Sequence, residues 1–156
     1  MGGMSSPARR ETDGSSTGVL RRVAQVALGG AMLFAGAGHL TFARQEFQAQ
    51  VPPWVPLDVD FVVLASGVVE IAFGAALLAT WRQPHRALVG AATGLLFVAV
   101  FPGNIAQLTE RRDAFGLDSD GARAARLLFQ PLLVAWALWA TDAVGEWRRR
   151  RGSVDG

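Results

Sequence analysis

The 156-residue chain has no cysteine, no lysine and only two histidines. Without cysteine there is no thiol–disulfide exchange, no iron–sulfur ligation and no thiolate zinc site. Two histidines fall short of the usual multi-histidine metal centre, so no metal site is expected, and neither a Walker loop nor a GxGxxG fingerprint occurs. Charge is also scarce where a soluble protein needs it. Most of the 15 basic and 13 acidic residues sit near the ends and in three short connections, and the stretches between are nearly uncharged. A soluble core of this size needs polar residues at helical or strand periodicity to face water, and these stretches lack them. The arginines flank apolar segments instead of forming a face, so no nucleic acid partner is expected. Arginine to the exclusion of lysine points to a GC-rich bacterial genome.

What is present is apolar length. Residues 1–18 are rich in Gly, Ser and Thr with mixed charges, and read as a disordered cytoplasmic tail. Four apolar segments follow, at 23–42, 61–81, 87–108 and 127–144. Each is close to the ~20 residues that cross a ~30 Å hydrocarbon core at ~1.5 Å per residue. The expected fold is therefore all-α, an integral membrane four-helix bundle over 19–147 that ends in a basic cytoplasmic tail, 148–156. Its first partner is the lipid bilayer, here the bacterial cytoplasmic membrane. With the N-terminus inside, the inner segments carry ten arginines and the outer ones five (Arg44, Arg111, Arg112, Arg123 and Arg126). That imbalance places both termini in the cytoplasm.

Polar residues inside the spans are few: His39, Glu70, Asn104 and Gln130, with Arg126 at the entrance of the fourth span. An ionisable group facing hydrocarbon costs ~2.5–3.5 kcal/mol even on lenient scales, so these residues should face the bundle interior. All five fall in the outer half of the bilayer, and together they draw on all four helices. Small residues support close packing: Ser66, Glu70 and Gly74 share one face, as do Met32, Ala35, Gly36 and His39, and Gly90 and Gly94 are spaced i, i+4. Pro102 and Pro131 free the carbonyls of Val98 and Leu127, which Asn104 and Gln130 are placed to serve. Two readings of the cluster stand open, a polar plug that caps kinked helices and a ligand or proton site. Glu70 is expected to pair with Arg126. Ser66 beside Glu70 reads as packing, so no catalytic residue is expected. In the first outer connection Pro52, Pro53, Trp54 and Pro56 predict a stiff, extended segment, a lid over the cluster or a plain connector. His39 and His85 should lie a membrane apart, too far to share a haem.

Taken in order, Gly36-Ala37-Gly38-His39, Pro53-Trp54-Val55-Pro56, Ser66-Gly67-Val68-Val69-Glu70, Phe101-Pro102-Gly103-Asn104-Ile105 and Arg126-Leu127-Leu128-Phe129-Gln130-Pro131 resemble the DoxX-like small membrane proteins over residues 19–141. The resemblance implies a four-helix membrane bundle with recurrent polar positions at His39, Glu70, Asn104 and Gln130. It also implies company in which quinone or thiosulfate oxidation occurs. Leu40 stands where that family often has Phe, and the absent cysteine removes a thiol role. Two functions are expected from this. One is a non-catalytic subunit or assembly factor of a membrane redox or envelope complex, alone or as a homo-oligomer. The other is a binder or carrier of a lipophilic ligand such as a quinone, held in an outer-leaflet polar pocket.

Overall fold

A computed structural model describes residues 7–153, with side chains from residue 16 onward. Among the described residues every regular element is helical: α1 Pro7–Leu40, α2 Arg44–Gln48, α3 Val59–Ala79, α4 His85–Thr109, α5 Asp120–Ala140 and α6 Ala143–Gly152. Two helix starts carry the side-chain caps their sequences offer. Asp58 accepts the amide of Phe61 at 2.9 Å and Ser119 that of Ala122 at 3.3 Å, each serving an amide the first turn leaves free.

Among the described residues three helical stretches are long and apolar enough to cross a membrane: Ser16–Leu40, Val59–Ala79 and His85–Thr109. The fourth expected span departs from the single rod at 127–144. α5 qualifies only together with α6, from which it is bent by 56°. The break falls at Asp142, whose φ of 57° ends the helix in a left-handed residue, a conformation Asp tolerates better than most. Sequence periodicity runs through this point because Ala140, Ala143 and Val144 remain apolar, so the bend is invisible to hydropathy.

Both tails also differ from expectation. The α1 helix reaches back to Pro7, so residues 7–18 are helical where a disordered tail was expected, while residues 1–6 lie outside the described residues. Extending an existing helix needs no new nucleus, which lets even Ser- and Gly-containing turns join. At the other end the basic tail is helical to Gly152, stitched by Glu146 to Arg149 at 3.1 Å and to Arg150 at 3.0 Å; residues 154–156 lie outside the described residues.

α1 packs along α3 and α4 along α5, α1 also meets α5, and α3 and α4 touch sparingly. The first pair closes on a glycine seam. A Cβ at Gly36 would lie 2.6 Å from the carbonyl oxygen of Gly67, one at Gly67 2.6 Å from the Cβ of His39, and one at Gly74 2.8 Å from the carbonyl of Gly29. Only hydrogen fits at these positions, and the backbones approach accordingly. In the second pair Gly90 receives the side chain of Thr141, whereas Gly94 sits at ordinary contact distance from Leu138, so the expected close approach is made at the first of the two. Leu28, Met32, Leu77, Phe97 and Ala137 form the core between the pairs. Large apolar side chains also point outward, Phe34 at 69% and Leu128 at 70% exposure among them.

At the end of the bundle opposite His39, a polar clamp holds the helix ends. Buried Gln25 donates to the carbonyls of Leu77 at 2.6 Å and Thr80 at 2.9 Å, closing the C-terminus of α3. Arg86 donates to Gln25 Oε1 at 2.6 Å and to the carbonyl of Ala140 at 2.6 Å, and Gln83 donates to that of Thr141 at 2.9 Å. These are the carbonyls a helix cannot satisfy internally, and the Arg86 cation meets the negative end of α5. In the sequence Arg86 reads only as a topology signal.

Candidate functional site

The C-terminal half of α1, the N-terminal half of α3, the C-terminal half of α4 and the first half of α5 surround a cavity of about 590 Å³. His39, Glu70, Asn104, Arg126 and Gln130 all line it, so the five polar residues singled out in the sequence converge in one place. The rest of its wall is largely apolar and aromatic: Phe47, Trp54, Phe97, Phe115 and Trp136 contribute.

On the α1/α3 side, the glycine seam holds His39 against α3. Its Nδ1 lies 3.2 Å from the carbonyl oxygen of Val63 and 3.0 Å from Ser66 Oγ, and Ser66 donates to the same carbonyl at 2.9 Å. Ser66 thus fixes the imidazole in place. The far edge of the ring, Nε2, stands 3.5 Å from Glu70 Oε2. That oxygen is buried, and among the described residues none donates a hydrogen bond to it.

On the α4/α5 side the amides form a relay. Arg126 Nε donates to Asn104 Oδ1 at 3.2 Å, Asn104 Nδ2 to Gln130 Oε1 at 2.8 Å, and Gln130 Nε2 to the carbonyl of Phe97 at 2.6 Å. The relay ends on the carbonyl next to Val98, the one Pro102 frees. Neighbouring residues point about 100° apart around a helix. Phe97 is buried toward α5 and Val98 is exposed, so Phe97 presents the reachable carbonyl. Asn104 serves Gln130, not Leu127. Arg126 and Glu70 both line the cavity, but among the described residues they form no ion pair; Arg126 engages Asn104 and lies 5.1 Å over the Phe115 ring.

The proline-rich connection folds differently from the extended segment expected. Val55 N donates to Pro52 O at 3.1 Å, closing a tight turn with Pro53 at its second position, where a fixed φ is favourable. Trp54 lines the cavity although 69% exposed, and Pro52 and Val55 line it too, while Pro53 and Pro56 face away. Arg112 donates to the carbonyl of Val51 at 2.9 Å, and Gly103 leaves room for that of Gln50, so the loop is seated on α4. Buried Arg123 pairs with Asp120 of its own helix at 2.8 Å and anchors the α4–α5 connection through Asp113.

Aromatic contacts that the sequence does not announce complete the roof. Phe47 on α2 stacks on His39 with centroids 3.4 Å apart, and Phe115 meets Phe47 edge-on at 4.7 Å. No periodicity marks α2, a helix of five residues, so the sole hint is Phe47 in a polar connection. His85 begins α4 at the clamp end, opposite His39. No group of three metal-ligating side chains occurs among the described residues.

Among the described residues these features define an all-helical protein with three apolar candidate spans and a mostly apolar cavity into which five polar side chains converge. The chain belongs to the family described as a domain of unknown function, DUF8561, which matches residues 28–141 and so takes in every polar residue of the cavity. No curated protein and no solved structure is matched.

Proposed function

We propose that the chain is a four-helix integral membrane protein of DoxX-like type that binds a lipophilic ligand with a polar head, a quinone being the type, in an outer-leaflet cavity. In this reading α1, α3 and α4 cross the bilayer, α5 with α6 makes the fourth pass, and both termini are cytoplasmic. The observation that carries it is the cavity itself: about 590 Å³, mostly apolar, with five convergent polar side chains. Ligand sites occupy about 300–1,000 Å³ and combine an apolar wall with a few placed polar groups. Its flank supports a lipophile. Ala99 and Val100 line the cavity yet are exposed on α4, opposite Val62 and Ser66 of α3, where the two helices touch sparingly. In a bilayer that opening faces hydrocarbon.

The second reading, drawn from the family resemblance, is a non-catalytic subunit or assembly factor of a membrane redox or envelope complex. One preparation tests both. The protein is purified in mild detergent, its lipid is extracted and quantified by mass spectrometry, and co-purifying proteins are identified. A lipophile enriched to about one per chain over the detergent control is expected. Stable protein partners without any enriched lipophile would leave the subunit reading and remove the binding one.

A further inference from the structure

Resting on the cavity's reading as a lipophile site, we infer that the group it recognises on the α1/α3 side is a hydroxyl that donates a hydrogen bond, and that its ligand class is a lipophilic phenol or hydroquinone. The argument starts from one proton. Val63 O is a carbonyl and can only accept, so His39 Nδ1, 3.2 Å away, carries the hydrogen. Ser66 Oγ spends its own proton on the same carbonyl and offers Nδ1 a lone pair at 3.0 Å. Neutral imidazole has a single N–H, so Nε2 presents its lone pair to the cavity. Beside it, at 3.5 Å, is Glu70 Oε2, buried and receiving no hydrogen bond among the described residues. With His39 neutral and Glu70 ionised, two acceptors face one point, and a hydroxyl placed there donates to one of them.

The opposite wall has the reverse polarity. Asn104 donates to Gln130 and Gln130 to Phe97, each through one of its two amide hydrogens, and Arg126 commits Nε to Asn104, so the donors left on this wall are the second amide hydrogens and the terminal guanidinium nitrogens. A ligand that donates at one end and accepts at the other complements both walls, as a hydroquinone does with its two ring oxygens. Between them the ring of Phe47 stacked on His39, with Trp54 and Trp136, supplies surfaces for an aromatic head.

The test compares decylhydroquinone with its dimethyl ether, which keeps ring and tail but has no O–H. Both are titrated under reducing conditions against the full chain in lipid nanodiscs, and the ligand-induced rise in thermal midpoint gives apparent affinities. The hydroquinone is expected to bind at least tenfold more tightly. In Glu70→Leu, and in His39→Leu as the second variant, that preference should shrink toward unity because one acceptor is gone. Equal, saturable binding of both compounds by the wild type would overturn the donor assignment while leaving the cavity as a lipophile site. Binding of neither would overturn both. A preference that persists unchanged in both variants would place the hydroxyl elsewhere and overturn the assignment to His39 and Glu70.

Discussion

Gln130 is the residue on which the α4/α5 side of the cavity turns. Buried on α5, it accepts from Asn104 and donates to the Phe97 carbonyl. Removing a partner from a buried polar group costs about 1–3 kcal/mol, because the group left behind was desolvated for a bond it no longer makes. Gln130→Ala strands Asn104 Nδ2 and takes from Phe97 O the donor it has besides its own helix, and it should lower thermal stability in detergent by that amount. Leu128→Ala, at a position 70% exposed, should change it little. Equal midpoints for the two variants would contradict the relay. The identity of these residues was legible in the sequence because a polar side chain inside an apolar run stands out. Their pairing was not. Glu70 and Arg126 look like natural partners by charge, yet Asn104 and Phe115 occupy Arg126, and which of several neighbours a long side chain meets depends on helix rotation that periodicity does not fix.

At the scale of elements, the α1/α3 seam and the polar clamp each make a claim. A Cβ at Gly67 would run into His39 and the carbonyl of Gly36, so Gly67→Ala should cost about 1–3 kcal/mol by overpacking and should displace the imidazole from Ser66. Gly30 has open space around it, and Gly30→Ala should be neutral or stabilising by up to about 1 kcal/mol. Comparing the two thermal midpoints separates packing from propensity, and a loss shared equally by both would count against the seam. Arg86→Ala removes charged hydrogen bonds to Gln25 and the Ala140 carbonyl, each of a kind worth about 1.5–3 kcal/mol, whereas exposed Arg82→Ala should be silent. Small residues at helical spacing made the seam legible in part, through Gly36 and Gly74. The clamp was not legible, since a glutamine near the end of an apolar run and an arginine in a connection carry no sign of each other. The bend at Asp142 escaped for a related reason: what stops α5 is the left-handed backbone of one residue, within a run whose hydropathy continues.

For the whole molecule the proposal is a bundle with both termini cytoplasmic and the cavity in the outer leaflet, and the absence of cysteine makes this easy to examine. Single cysteines at exposed Asp118 and Arg82 should divide cleanly in intact cells. The first is expected to react with an impermeant maleimide and the second only after permeabilisation; the opposite pattern inverts the topology and moves the cavity to the inner leaflet. The central claim, that this cavity takes up a lipophile, is tested most directly by equilibrium retention of radiolabelled decylhydroquinone in nanodiscs. The wild type is compared with Ala35→Phe and Val100→Trp, which place bulk in the cavity from α1 and from the open α4 flank. The account predicts a saturable component of about one ligand per chain in the wild type and only linear partitioning in both variants. The same saturable component in all three proteins would contradict it.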